Sequence, residues 1–129
     1  MEKKILVVDD EVSIRDLLKD AFVNAGYDVR LAEGAEQAFD ILKEEDIRVI
    51  FLDLKLFGMN GIELCKQIKK NNPITIIFAM TGWAALYEIE ECREAGFDDF
   101  FTKPAQIEML LKVVDDAFEK LDRWRKRYY

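Results

Sequence analysis

Apolar residues along this chain fall into two alternating patterns, short continuous runs and longer stretches in which they recur every three or four positions. Ile5-Leu6-Val7-Val8, Val49-Ile50-Phe51-Leu52 and Ile74 to Met80 have the length and composition of strands buried on both faces of a parallel sheet. Tyr27 to Leu31 alternates instead, which suits a strand nearer the sheet edge, and Asp99 to Thr102 is a short fifth strand. Between the runs lie amphipathic helices. Val12 to about Ala25 carries Ile14, Leu17, Leu18, Ala21 and Phe22 on one face, and Ala35 to about Glu44 carries Ala38, Phe39, Ile41 and Leu42. Ile62 to about Lys70, Ala84 to Ala95, and Ile107 to about Arg125 complete the set. Gly26 and Gly96 stand where helix C-terminal caps are expected, Gly58 and Gly61 break the chain before the third helix, and Asn71-Asn72-Pro73 reads as a turn.

Strict alternation of strand and helix with short connections predicts an α/β fold, a doubly wound parallel sheet with helices on both faces and right-handed crossovers. For five strands the order 2-1-3-4-5, the flavodoxin-like (βα)5 arrangement, is one of two common solutions. It sets the first and third strands side by side. The length is that of one domain with a full core, assigned to residues 1–121, and residues 122–129 extend the final helix.

Charged residues close the apolar runs. Asp9 and Asp10 end the first, Asp53 the third, and Lys103, followed by Pro104, the fifth. Ligands of such sheets bind beyond the carboxyl ends of the strands, so three carboxylates and an ammonium are expected in one crevice. Crowded carboxylates repel unless a cation joins them, and an open oxygen-only ligand set suits Mg²⁺, which is usually shared with phosphates. The chain contains no His, which excludes Ser-His and Cys-His catalysis and the role of phosphohistidine donor. Cys65 and Cys92 read as reduced, half-buried helix residues. No nucleotide-binding glycine motif is present. Residues 1–119 have a net charge of −11 and residues 120–129 one of +4. The acidic body argues against nucleic-acid binding. No apolar run approaches the length of a membrane span and no cleavable signal follows Met1, so a cytoplasmic protein is expected.

KKILVVDDE, FLDLKLFGMNG, Thr81-Gly82 and GFDDFFTKP occur in this order on successive predicted strands. Together they resemble the receiver domains of two-component response regulators, of the chemotaxis-regulator type, from Lys4 to about Leu121. The resemblance implies that Asp53 is the phosphoacceptor. It implies that Asp10, Asp53 and the backbone carbonyl of Lys55 hold Mg²⁺, with Asp9 acting through metal-bound water. Lys103 would pair with Asp53 and then with phosphoryl oxygens. Thr81 and Phe100 would form the switch, and the Lys103-Pro104 bond would be cis. The implied partners are a sensor histidine kinase or phosphotransfer protein and a downstream target. The signal would leave through the surface of the fourth helix, fifth strand and fifth helix, where a homodimer could also form. Two rivals are an unphosphorylated interaction scaffold and a Mg²⁺-dependent phosphatase. Keeping buried like charges without metal argues against the first. Lys55, two residues after Asp53, argues against the second.

Phe57, Trp83 and Ala105 depart from the family pattern, at positions that usually hold Pro, a small or polar residue, and Phe or Leu. The basic tail suits the helix dipole, with partner docking or membrane or nucleic-acid contact as alternatives. Trp83, by resemblance at the mouth of the site, is expected either to shield the phosphoryl group from water or to dock a partner. If it shields, Trp83→Ala should speed dephosphorylation of the isolated domain several-fold. An unchanged decay rate leaves the docking role.

Overall fold

The computed structural model describes residues 3–56, 58–82, 85–103 and 105–128. Strands and helices alternate as β1 (Lys4–Val8), α1 (Val12–Asn24), β2 (Asp28–Ala32), α2 (Ala35–Glu44), β3 (Val49–Asp53), α3 (Gly61–Asn71), β4 (Ile76–Thr81), α4 (Leu86–Ala95), β5 (Asp99–Thr102) and α5 (Ile107–Tyr128). All strand pairs are parallel, and the sheet order is β2-β1-β3-β4-β5. The predicted architecture is therefore the observed one.

Each strand sends alternate side chains to opposite faces, and two cores result. Leu6, Val8, Ile50, Leu52, Ile77 and Ala79 pack under α2, α3 and α4, against Ala38, Leu64, Cys65 and Cys92. Ile5, Val7, Val49, Phe51, Phe78 and Phe101 pack against Leu18 and Phe22 of α1 and Leu110, Val114 and Phe118 of α5. A row of rings from Phe22 through Phe51 and Phe78 to Phe101, with centroids 5.0 to 6.0 Å apart, ties four elements together on that side. Phe100 and Phe101 fall in different cores, as their adjacency on a strand requires.

Several expectations need correction. β4 begins at Ile76 rather than Ile74, because its first ladder bond is Ile76 N–H to the Arg48 carbonyl, while Thr75 N–H closes a turn onto Asn72. β2 is shifted one residue, to Asp28–Ala32. α5 runs to Tyr128, and the basic residues after Leu121 extend it as expected. Leu17 faces solvent at 50% exposure, and the buried stripe of α1 is Arg15, Leu18 and Phe22. Those three lie within one helical face, whereas Leu17 is rotated by about 100° from Leu18. The cysteines are fully buried rather than half-buried, and burial pushes the Cys65 thiol up to about 12 and that of Cys92 to about 11. No helix of the described residues is long and apolar enough to cross a membrane.

The turn from β3 into α3 places Asp53. Asn60 caps α3, its side chain accepting the Glu63 N–H at 2.8 Å. Gly61 N–H donates to the Leu54 carbonyl at 2.8 Å, pulling the helix start onto the backbone that follows Asp53. A Cβ on Gly61 would stand 2.2 Å from the Asp53 carbonyl oxygen and 2.8 Å from Leu54 Cα, both backbone atoms. Gly→Ala in an ordinary helix position is stabilising by roughly 0.5–1 kcal/mol. Here the sign should reverse: Gly61→Ala should cost about 1–3 kcal/mol in urea unfolding, as overpacking does. A variant as stable as the wild type would show that α3 can move away without loss.

Candidate functional site

β1 and β3 are neighbours in register, Val8 opposite Leu52, so the residues that follow, Asp9 and Asp53, meet at the carboxyl edge of the sheet. Across β3, Asp53 lies opposite Met80, one residue before Thr81. Thr81 pairs with Thr102, and the Lys103 N–H donates to the Thr81 carbonyl at 2.8 Å. Four strand ends thus deliver Asp9, Asp53, Thr81 and Lys103 to one place. Asp9, Asp53 and Thr81 are buried, and Asp10 is exposed on the rim.

Lys103 is the hub. Its Nζ lies 2.8 Å from Asp9 Oδ2, 3.1 Å from Glu11 Oε1 and 3.2 Å from Asp53 Oδ2. The sequence reading paired it with Asp53; the structure divides it among three carboxylates and sets it closest to Asp9. Backbone N–H groups hold the opposite oxygens. Lys55 N–H donates to Asp53 Oδ1 at 3.1 Å and Glu11 N–H to Asp9 Oδ1 at 2.9 Å. Phe100 is half-buried against the core on the α2–α4 side. Pro104, Trp83 and Phe57, each singled out in the sequence, lie outside the described residues.

Two participants were not read from the sequence. Glu11 adds a fourth carboxylate, and its place directly after the acidic pair was the available signal. Arg15 lies buried beneath the pair and donates from Nη1 to the Asp9 carbonyl at 2.7 Å. Its signal was weaker, a basic residue at the spacing of the buried stripe of α1.

One carboxylate oxygen from each of Asp9, Asp10, Glu11 and Asp53 falls within 4.8 Å of the others. An all-oxygen, anionic, partly open cluster of this size has the donor chemistry of a hard divalent cation such as Mg²⁺. The electrostatics agree. Burial raises the Asp53 pKa, the Lys55 N–H opposes the rise, the Asp9 charge adds to it, and Lys103 opposes it. For Lys103, burial works against the charged form, but hydrogen bonds to Asp9 and Glu11 and the charges of Asp53 and Asp9 outweigh it and raise the pKa.

This edge of carboxylates around one lysine lies on a five-stranded parallel sheet of order β2-β1-β3-β4-β5. Residues 5–115 match the response regulator receiver domain family, and the chain belongs to it. It is 37% identical over 114 residues to sporulation initiation phosphotransferase F of Bacillus subtilis, covering 88% of this chain and 92% of that protein. It is 34% identical over 110 residues, 84% of this chain, to a cyclic di-GMP phosphodiesterase of Thermotoga maritima, of which the match spans 29%. Among solved structures it is similar to a CheY-like response regulator receiver domain protein from Methanospirillum hungatei. The TM-score is 0.88 with 31% identity, over 98% of this chain and 99% of that one. The family is regulatory, binds Mg²⁺ at an acidic pocket, and interacts with histidine kinases or phosphotransfer proteins.

The raised pKa of Asp53 has a consequence for stability. Between the ordinary carboxylate value and the raised one, the folded protein holds a proton that the unfolded chain has lost. Stability therefore falls as pH rises through that window, and at neutral pH the ionised Asp53 costs stability. Without Mg²⁺, Asp53→Asn should melt higher than wild type at neutral pH, with Lys103 keeping Asp9 and Glu11 as partners. The gain should shrink as pH falls toward about 4, near the ordinary Asp value. A lower melting temperature at neutral pH would mean that the Lys103 contact outweighs desolvation and repulsion.

Proposed function

We propose that this chain is a phosphorylation-activated switch of a two-component system that accepts a phosphoryl group on Asp53. The observation that carries the reading is the sharing of Lys103 between the buried carboxylates of Asp9 and Asp53 at 2.8 and 3.2 Å. An ammonium held there by anions is placed to follow negative charge from a carboxylate to a phosphoryl group attached to it. Phosphoryl transfer asks of a protein mainly positioning and charge neutralisation.

The donor is a phosphohistidine on a sensor histidine kinase or phosphotransfer protein. An Asp53 carboxylate oxygen attacks phosphorus, the phosphorus–nitrogen bond breaks, and the histidine nitrogen leaves with the electron pair. The Lys55 N–H and Lys103 hold the Asp53 carboxylate in place before attack, and Lys103 neutralises a phosphoryl oxygen afterwards. Asp10, Asp53 and the Lys55 carbonyl would hold Mg²⁺, with Asp9 acting through water. A bound ion would supply screening between the anionic donor and the carboxylates. Thr81, buried at the end of β4, donates its hydroxyl to the new phosphoryl group, and Phe100 follows by turning inward, which alters the surface of α4, β5 and α5 that a downstream protein reads. The relative in Bacillus subtilis is named a phosphotransferase and is covered over 92% of its length, which supports a place within a phosphorelay.

Acetyl phosphate with Mg²⁺ should add one phosphoryl group to the intact protein, read by mass. Asp53→Asn should add none while remaining folded, and Asp10→Ala should react far more slowly. Stoichiometric phosphorylation of Asp53→Asn would overturn the assignment, and an unchanged rate in Asp10→Ala would remove the metal role from Asp10.

A further inference from the structure

Arg15 stands directly beneath the acidic edge, and the phosphoryl chemistry above does not use it. It is 9% exposed in a helix whose other face is open to water. An arginine is rarely buried unless paired, because stripping a guanidinium of water is costly. Its Nη1 donates to the Asp9 carbonyl at 2.7 Å, and its Nη2 lies 3.6 Å from Glu33 Oε1 in the turn after β2. Glu33 itself is largely exposed, with 67% of its side-chain surface accessible, so that ion pair is a weak anchor. The Asp9 carbonyl is the closer contact.

That carbonyl belongs to the peptide unit joining Asp9 to Asp10, which is planar. β1 has ended at Val8 and α1 begins only at Val12, so neither element fixes this unit through its own ladder. The Asp9 N–H on the preceding unit is held by the Ala32 carbonyl at 3.1 Å. Arg15 therefore sets the plane of the one peptide whose two ends carry the Asp9 and Asp10 side chains. Rotation about the Asp9 Cα–C bond would break the Arg15 hydrogen bond and carry Asp10, with its carboxylate, to a new position relative to Asp9 and Asp53, while the Asp9 carboxylate stays held by the Glu11 N–H and Lys103. The charge on Arg15 by itself disfavours a neighbouring cation, so removing that charge alone would tighten binding, and a loss of affinity on its removal reports orientation.

We infer that Arg15 is a positioning residue for the divalent-cation site, presetting the Asp10 carboxylate relative to Asp9 and Asp53 by locking the peptide between Asp9 and Asp10. The inference rests on the reading that these carboxylates hold Mg²⁺.

The test is calorimetric titration with Mg²⁺ of wild type, Arg15→Met, Arg15→Lys and Glu33→Gln, each first shown to be folded by circular dichroism. Arg15→Met should weaken Mg²⁺ binding by roughly tenfold or more, as loss of a residue orienting a metal ligand does. Arg15→Lys, whose ammonium can reach one acceptor but cannot fork, should lose less, and Glu33→Gln should stay close to wild type. Phosphorylation of Arg15→Met by acetyl phosphate should be slow at limiting Mg²⁺ and recover at saturating Mg²⁺, a rescue that general damage to the fold would not give. Unchanged Mg²⁺ affinity in folded Arg15→Met overturns the inference, as does an equal loss in Glu33→Gln. Should Arg15→Met fail to fold, unchanged affinity in Arg15→Lys overturns it. Absence of Mg²⁺ binding by the wild type would instead overturn the acceptor reading on which the inference stands.

Discussion

Everything at the carboxyl edge of this sheet depends on keeping like charges together out of water. Asp9 and Asp53 are almost fully buried, and their oxygens, with those of Asp10 and Glu11, lie within 4.8 Å of one another. Two unit charges about 4 Å apart repel by around 4 kcal/mol in surroundings of effective dielectric near 20. The fold tolerates this because one ammonium is shared among Asp9, Glu11 and Asp53, and because backbone N–H groups of Glu11 and Lys55 take up the remaining oxygens. The tolerance is incomplete: burial, with the Asp9 charge adding to it, holds the Asp53 carboxyl above the ordinary carboxylate range. A site left short of positive charge favours a cation, and a site whose lysine is divided among three carboxylates can redistribute it when one of them changes.

The sheet makes this possible at a fixed position. In a parallel sheet all strands end on the same edge, and the order β2-β1-β3-β4-β5 puts β1 beside β3 and β4 beside β5. Strand ends that are far apart in sequence, Asp9 and Asp53 among them, are then neighbours with no loop required to reach across, and the long Lys103 side chain reaches both from the end of β5. The interior beneath them is apolar on both faces and closed by the ring series from Phe22 to Phe101. The cost of gathering the charges is borne by a core that does not need them, so the edge is free to carry chemistry.

This division also explains which parts of the molecule could be read from the chain. Runs such as Ile5–Val8 and Val49–Leu52 announce doubly buried strands, and the residue closing each run is placed by the rule of the parallel sheet, so Asp9, Asp10, Asp53 and Lys103 could be assigned together. The limits of β4 could not, because Ile74 and Thr75 are as apolar or β-branched as a strand requires, and only the Thr75 N–H bond to Asn72 turns them out of it. Leu17 was assigned inward because leucine prefers the core. Its place in the stripe of α1 belongs to Arg15, whose partners are a carbonyl six residues back and a carboxylate in the turn after β2. No periodicity encodes such a contact. The reason for Gly61 was hidden for the same cause, since a backbone passing 2.2 Å from where its Cβ would be exists only once β3 and α3 are folded together.

Glu11 shows how a residue outside the expected set changes the balance. It is the most exposed of the three carboxylates on Lys103, with 56% of its side-chain surface accessible against 2% for Asp9 and 6% for Asp53. Water and salt screen its pairing far more than the other two. On the proposed phosphorylation of Asp53, the ammonium would gain most by turning toward the added charge. The contact with Glu11 is the cheapest to release, because that carboxylate is resolvated as it leaves, whereas Asp9 would be left buried and unpaired. The order in which Lys103 would give up its partners therefore follows from their burial, and that burial follows from where the chain carries them: Asp9 and Asp53 at the sheet edge, Glu11 beyond it, facing solvent at the head of α1.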